Sequence, residues 1–75
     1  MKVYLTTSGD YDAYSVNEIY LSLESAKAAN PPPEGYHWQL DLSGYMDHTR
    51  YWSHRNDKGH QHWDYVMIEE REVLP

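Results

Sequence analysis

Residues 14–33 read YSVNEIYLSLESAKAANPPP, and the point at which this stretch divides decides the fold. Val16, Ile19, Tyr20, Leu23 and Ala26 recur at helical spacing, which taken alone would give one continuous helix. The β-branched Val16 and Ile19, together with Tyr14 and Tyr20, instead favour extended chain as far as Leu21. Ser22 then serves as a helix N-cap, because its side-chain oxygen can accept one of the unpaired N–H groups of the first turn. Glu24 stands where the helix dipole is positive, and Ala26, Ala28 and Ala29 continue the helix. Asn30 before Pro31-Pro32-Pro33 ends it, since proline lacks the N–H donor and disfavours helical geometry at the preceding residue. The stretch is therefore predicted to be a strand over 14–21, a helix within 22–30 and a stiff extended connector.

On the N-terminal side, residues 2–7 (KVYLTT) alternate, with Val3 and Leu5 on one side and Lys2, Tyr4 and Thr6 on the other. Residues 8–13 (SGDYDA) form a turn in which Gly9 permits positive φ and Asp10 and Asp12 can bond nearby backbone. The first two strands are thus expected to be antiparallel. On the C-terminal side, residues 36–42 (YHWQLDL) place Tyr36, Trp38, Leu40 and Leu42 on one face and His37, Gln39 and Asp41 on the other, followed by a Ser43-Gly44 turn. Residues 65–74 (YVMIEEREVL) form a last strand whose charges from Glu69 to Glu72 suit a solvated edge. The expected fold is a small α+β domain over 1–75: a mostly antiparallel sheet of four to five strands with one short helix.

Composition narrows the function classes. A chain of 75 residues makes one domain, which buries about 60% of its unfolded surface and leaves little room for a deep cleft. There is no cysteine, so disulfides and thiolate metal sites are excluded. The apolar run at the start stops at Thr6, and no apolar run approaches the roughly 18–20 residues of a membrane helix. A cytoplasmic protein without membrane contact is expected. Twelve acidic against six basic side chains give a charge of −6, the wrong sign for direct nucleic-acid binding. That charge suits a basic protein partner, such as one that itself binds nucleic acid. Eight tyrosines and three tryptophans occur with no phenylalanine. Tyr and Trp pair an apolar body with a polar tip, which serves equally as interface anchor or half-buried core.

Residues 45–65, YMDHTRYWSHRNDKGHQHWDY, hold four of the five histidines and two of the three tryptophans. Asn56-Asp57-Lys58-Gly59 reads as a hairpin turn, and the register sets the chemistry. A three-residue loop with a bulge places His54 opposite His62 and Trp52 opposite Asp64, with His60 on the same face. His54, His60, His62 and Asp64 would then make a set suited to Zn²⁺ or Ni²⁺. A four-residue loop pairs Trp52 with Trp63 and His54 with Gln61. The tryptophan pair stabilises the hairpin without a ligand, and this second register is the expected one. A short helix over 47–56 is a third arrangement. Ser53, His54 and Asp57 show no readable triad or oxyanion hole, and Glu69, Glu70 and Glu72 read as a solvated face, so no catalytic residue is assigned. The candidate partner-binding residues are the acidic turn Asp10, Tyr11, Asp12 and Tyr14 and the aromatic groups Tyr51, Trp52 and Trp63.

The opening Lys2-Val3-Tyr4-Leu5, then Ser8-Gly9-Asp10-Tyr11 and Tyr14, then Ile19-Tyr20, Ser22, Glu24 and Ala26, resembles a group of short bacterial and phage proteins of unknown function. These begin with a strand, a Ser-Gly-x-Tyr-x-x-Tyr turn, a second strand and a Ser-x-Glu-x-Ala helix. The resemblance covers about the first 29 residues and implies a small sheet-and-helix fold in a phage or prophage setting. It transfers no catalytic residue. The proline connector and the histidine-rich stretch depart from the pattern, and residues 45–65 read as an inserted His/Trp-rich hairpin. Together these observations lead to the expectation of a non-enzymatic interaction protein, in its sharper form an inhibitor of a host protein or defence system. The alternative is a small metal- or ligand-binding protein using the histidine hairpin.

Overall fold

The computed structural model describes residues 1–9, 15–41 and 50–74. The elements run β1 (Lys2–Ser8), β2 (Ser15–Tyr20), α1 (Leu23–Ala29), β3 (His37–Asp41), β4 (Tyr51–Arg55) and β5 (Met67–Glu72). The strands form one sheet in the order β2-β1-β5-β4-β3, and each neighbouring pair is antiparallel. Among the described residues, one five-stranded antiparallel sheet and one short helix match the expected small sheet with a single helix.

The division at Ser22 is observed. Its hydroxyl oxygen accepts the Ser25 N–H at 3.1 Å, which satisfies one of the donors a helix start leaves unpaired. Continuous helix from Val16 is therefore not formed. At the other end the Asn30 side-chain amide donates to the Ala26 carbonyl at 2.9 Å and its backbone N–H to the Lys27 carbonyl at 3.1 Å. Asn30 thus closes the helix before the prolines. The Trp38 indole N–H then donates to the Asn30 carbonyl at 3.0 Å, tying the helix end of the connector back to β3.

This connection carries the chain from one sheet edge to the other, and α1 packs on β1 and β2. The core lies under it. Ala26, Trp52 and Ile68 are buried, and Tyr4, Tyr20, Leu23, Trp38 and Leu40 pack around them. Trp52 stands opposite Ile68 on one side and Leu40 on the other, with Tyr4 edge-on to its ring at 6.1 Å. Several of the aromatic residues are therefore core residues. On β3 the expected alternation holds, since Trp38 and Leu40 turn inward.

The last strand departs from expectation. β5 is not an edge but the centre of the sheet, between β1 and β4. Its acidic residues are tolerated there because they are paired. Glu70, with its side chain 9% exposed, meets Arg50 at 2.9 Å and Lys2 at 3.5 Å. It also accepts the Tyr4 hydroxyl at 3.2 Å. The hydrogen bonds from Arg50 hold the Glu70 carboxyl below its ordinary range, so it stays ionised although little exposed. Glu69 pairs with Arg71 at 2.9 Å. The strands at the edges are β2 and β3.

Candidate functional site

The turn after β4 is set by Asn56. Its side-chain oxygen accepts the N–H groups of Lys58 and His60, both at 3.0 Å, and its carbonyl accepts the Gly59 N–H at 2.9 Å. Gly59 has φ +81, a conformation that glycine enters without steric cost. Arg55 braces the turn from beneath, donating to the Gly59 carbonyl and the Ser53 hydroxyl at 3.0 Å and to Asp41 at 3.2 Å.

These bonds fix the register. Arg55 bridges to Gln61, the Asn56 N–H donates to the His60 carbonyl and the His62 N–H to the His54 carbonyl. His54 therefore stands opposite His62, the arrangement with the three-residue loop. The expected pairing of Trp52 with Trp63 does not form. The ladder then breaks. The Tyr65 N–H donates to the His62 carbonyl at 3.2 Å, and pairing resumes only at Met67 opposite Ser53. Residues 63–66 are looped out, so Trp52 meets Ile68 and not Asp64. A detour of four residues is even, and it leaves every inward side chain on its face. Burial of Trp52 against Ile68 favours this solution over the exposed aromatic pair that a simple hairpin would make.

The loop gathers three of the four residues expected to share a metal. The His62 Nδ1 lies 3.0 Å and the His54 Nδ1 3.8 Å from the same oxygen of Asp64. The other oxygen of Asp64 accepts the Val66 N–H at 3.2 Å, which pins the loop. His60 stands apart on the exposed turn. Among the described residues no group of three His, Asp or Glu side chains is arranged to hold a metal ion. His54 is 3% exposed, its ring lies 3.9 Å from that of Trp38, and neither of its nitrogens has a hydrogen-bond partner among the described residues. Burial pushes its pKa down, against the raising influence of Asp64. The imidazole is accordingly neutral at neutral pH.

Around this cluster the aromatic groups form a graded surface. Tyr36 meets His62 edge-on at 4.7 Å, and Trp63 leans on its ring at 5.1 Å with the planes 32° apart. Trp63 is 80% exposed and Tyr65 45%. Tyr65 holds φ +53, which is uncommon for a bulky residue and stores strain in the loop that presents Trp63. Of the expected anchors among the described residues, Trp63 is the exposed one. Trp52 packs in the core, and Tyr51 is half-buried on the sheet face away from α1, opposite Glu69 and Asp41. Asp10, Tyr11, Asp12 and Tyr14 lie outside the described residues. Tyr36 and Tyr65 were missed as members of this surface. The alternation of residues 36–42 carried a signal for Tyr36, while nothing local marked Tyr65.

No helix among the described residues is long and apolar enough to cross a membrane. No family model, curated protein or solved structure matches this chain.

Proposed function

We propose that this chain is a non-enzymatic interaction protein that anchors a protein partner through the loop at residues 63–66, with Trp63 as the principal contact. The observation that carries this reading is an indole 80% exposed on a loop held by named bonds. Large aromatic groups dominate binding hot spots, and a pre-positioned one loses little freedom on binding. Tyr65 and Tyr36 extend the contact, and the net charge of −6 steers a basic partner toward it. Read with the resemblance to phage proteins, the sharper form is a cytoplasmic inhibitor of a host protein, one that itself binds nucleic acid. Affinity capture from a bacterial lysate with wild type and Trp63→Ala tests the reading. A discrete protein retained by the wild type and lost with the variant, at unchanged unfolding midpoint, supports it. Equal capture by both removes Trp63 as the anchor.

A second reading, a metal- or ligand-binding protein, draws on the approach of His54 and His62 to one oxygen of Asp64. Calorimetric titration with Zn²⁺ and Ni²⁺ decides it: saturable binding that is lost in His62→Asn supports the reading, and no binding removes it.

A further inference from the structure

The two edges of the sheet are built differently. β3 turns Trp38 and Leu40 to the core and presents His37 and Gln39 outward, where they contact each other at 3.2 Å. Among the described residues β2 borders only β1 and leaves large apolar side chains in solvent: Val16 is 48% exposed, Ile19 62% and Leu21, just beyond its end, 75%. Soluble proteins guard such edges with lysine, proline or inward charge, because the outer row of N–H and C=O groups is a template for another strand. Residues 15–21, SVNEIYL, contain no lysine, arginine or proline and a single charge, Glu18. One guard is present. The register slips between Thr6 and Thr7, which leaves Asn17 as the extra residue of a bulge, tied to the Ser8 hydroxyl at 3.2 Å. The bulge bends only the first half of the strand. Glu18, Ile19 and Tyr20 continue regularly opposite Thr6, Leu5 and Tyr4.

We infer that the outer edge of β2 receives an added strand from a protein partner, with apolar residues at alternate positions and a lysine or arginine facing Glu18. The backbone of an edge strand recognises extended chain and not a helix, and the side chains on its two faces set the sequence read. Ile19 shares its face with Leu5, so the incoming residue beside it is apolar. Glu18 shares the opposite face with Thr6, so the residue beside it is basic. Charge selects against a second copy of this chain as the occupant. Two molecules of charge −6 repel, and a two-fold pairing centred on this strand sets Glu18 against Glu18. The edge lies across the whole sheet from β3, next to which His62, flanked by Tyr36, contacts Trp63, so this surface is separate from the anchor described above.

The test is an NMR titration of the isotope-labelled protein with a short capped peptide alternating valine and lysine, beside its valine–glutamate counterpart. The expected result is that amide signals of residues 16–21 shift with the lysine peptide and gain protection from solvent exchange. The glutamate peptide should bind at least about tenfold more weakly. Glu18→Lys, an exposed change compatible with folding, should reverse that preference, and Trp63→Ala should leave the titration unaltered. Shifts that map elsewhere, indifference to the sign of the peptide charge, or no shift at millimolar peptide overturn the inference. Sedimentation of the protein alone supplies the remaining outcome: a dimer with protected β2 amides makes a second copy the occupant and overturns it as well.

Discussion

Replacing Trp52 by alanine should remove a large share of the stability of this fold, while replacing Trp63 should remove almost none. Trp52 is 6% exposed, against Ala26, Ile68 and Tyr4, and Trp63 is 80% exposed. Emptying a buried tryptophan site costs about 3–5 kcal/mol, the sum of lost transfer energy and the cavity left behind. A domain of 75 residues holds roughly 4–11 kcal/mol in total, so the Trp52 variant loses at least about a quarter of it. Truncating an exposed side chain usually changes stability by about 0.5 kcal/mol or less. At about 4–8 °C per kcal/mol for a domain of this size, the Trp52→Ala midpoint should fall by more than ~12 °C and the Trp63→Ala midpoint by less than ~4 °C. Thermal and urea unfolding followed by far-ultraviolet circular dichroism reads both, without depending on tryptophan emission. Equal losses in the two variants would mean that the indoles pair across the hairpin, and the register with His54 opposite His62 would be wrong.

Ser22→Ala should cost about 1 kcal/mol by leaving the Ser25 N–H without its acceptor, read as a lower urea midpoint at unchanged slope; no change would detach the cap from the helix. His54 gives a pH dependence of definite sign. Its folded-state pKa lies below the ordinary value because of burial, so the unfolded chain binds the proton first as pH falls. The contribution is complete above about pH 6.5 and declines toward the folded-state pKa. Urea midpoints measured across that window should fall for wild type more steeply than for His54→Phe, and parallel slopes would acquit His54. A chelator should leave the unfolding midpoint unchanged, because the core is apolar packing of Ala26, Trp52 and Ile68; a lowered midpoint would favour the metal reading.

The helix was legible because its signals are local: Ser22 caps it and Asn30 with the prolines ends it, within a dozen residues. The inward face of β3 was legible for the same reason, from alternation alone. The place of β5 was not. Glu69 to Glu72 resemble an edge until Arg50, Lys2 and Tyr4, distant in sequence, are seen to pair with Glu70. The hairpin register was equally hidden. Both turns suit Asn56 to Gly59, and the choice rests on Ile68, which buries Trp52 from beyond a loop that no local pattern announced. That same loop puts Trp63 in solvent, so the candidate anchor became visible only once the sheet was assembled.

The pairing of β1 with β5 places the first and last strands side by side at the middle of the sheet, where the Val73 N–H donates to the Met1 carbonyl at 2.7 Å. During synthesis the β1–β2 pair and the β3–β4 pair therefore have no common partner until the last strand has been made. The nascent chain carries two unfinished half-sheets with open inner edges, and closure comes late and between segments far apart in sequence, the circumstance in which folding is slow. The same adjacency means that the two ends could be joined by a short linker and the chain reopened between Asp57 and Lys58, in the exposed turn. β5 would then be made before β1 and directly joined to it, so that the centre of the sheet would assemble first and not last.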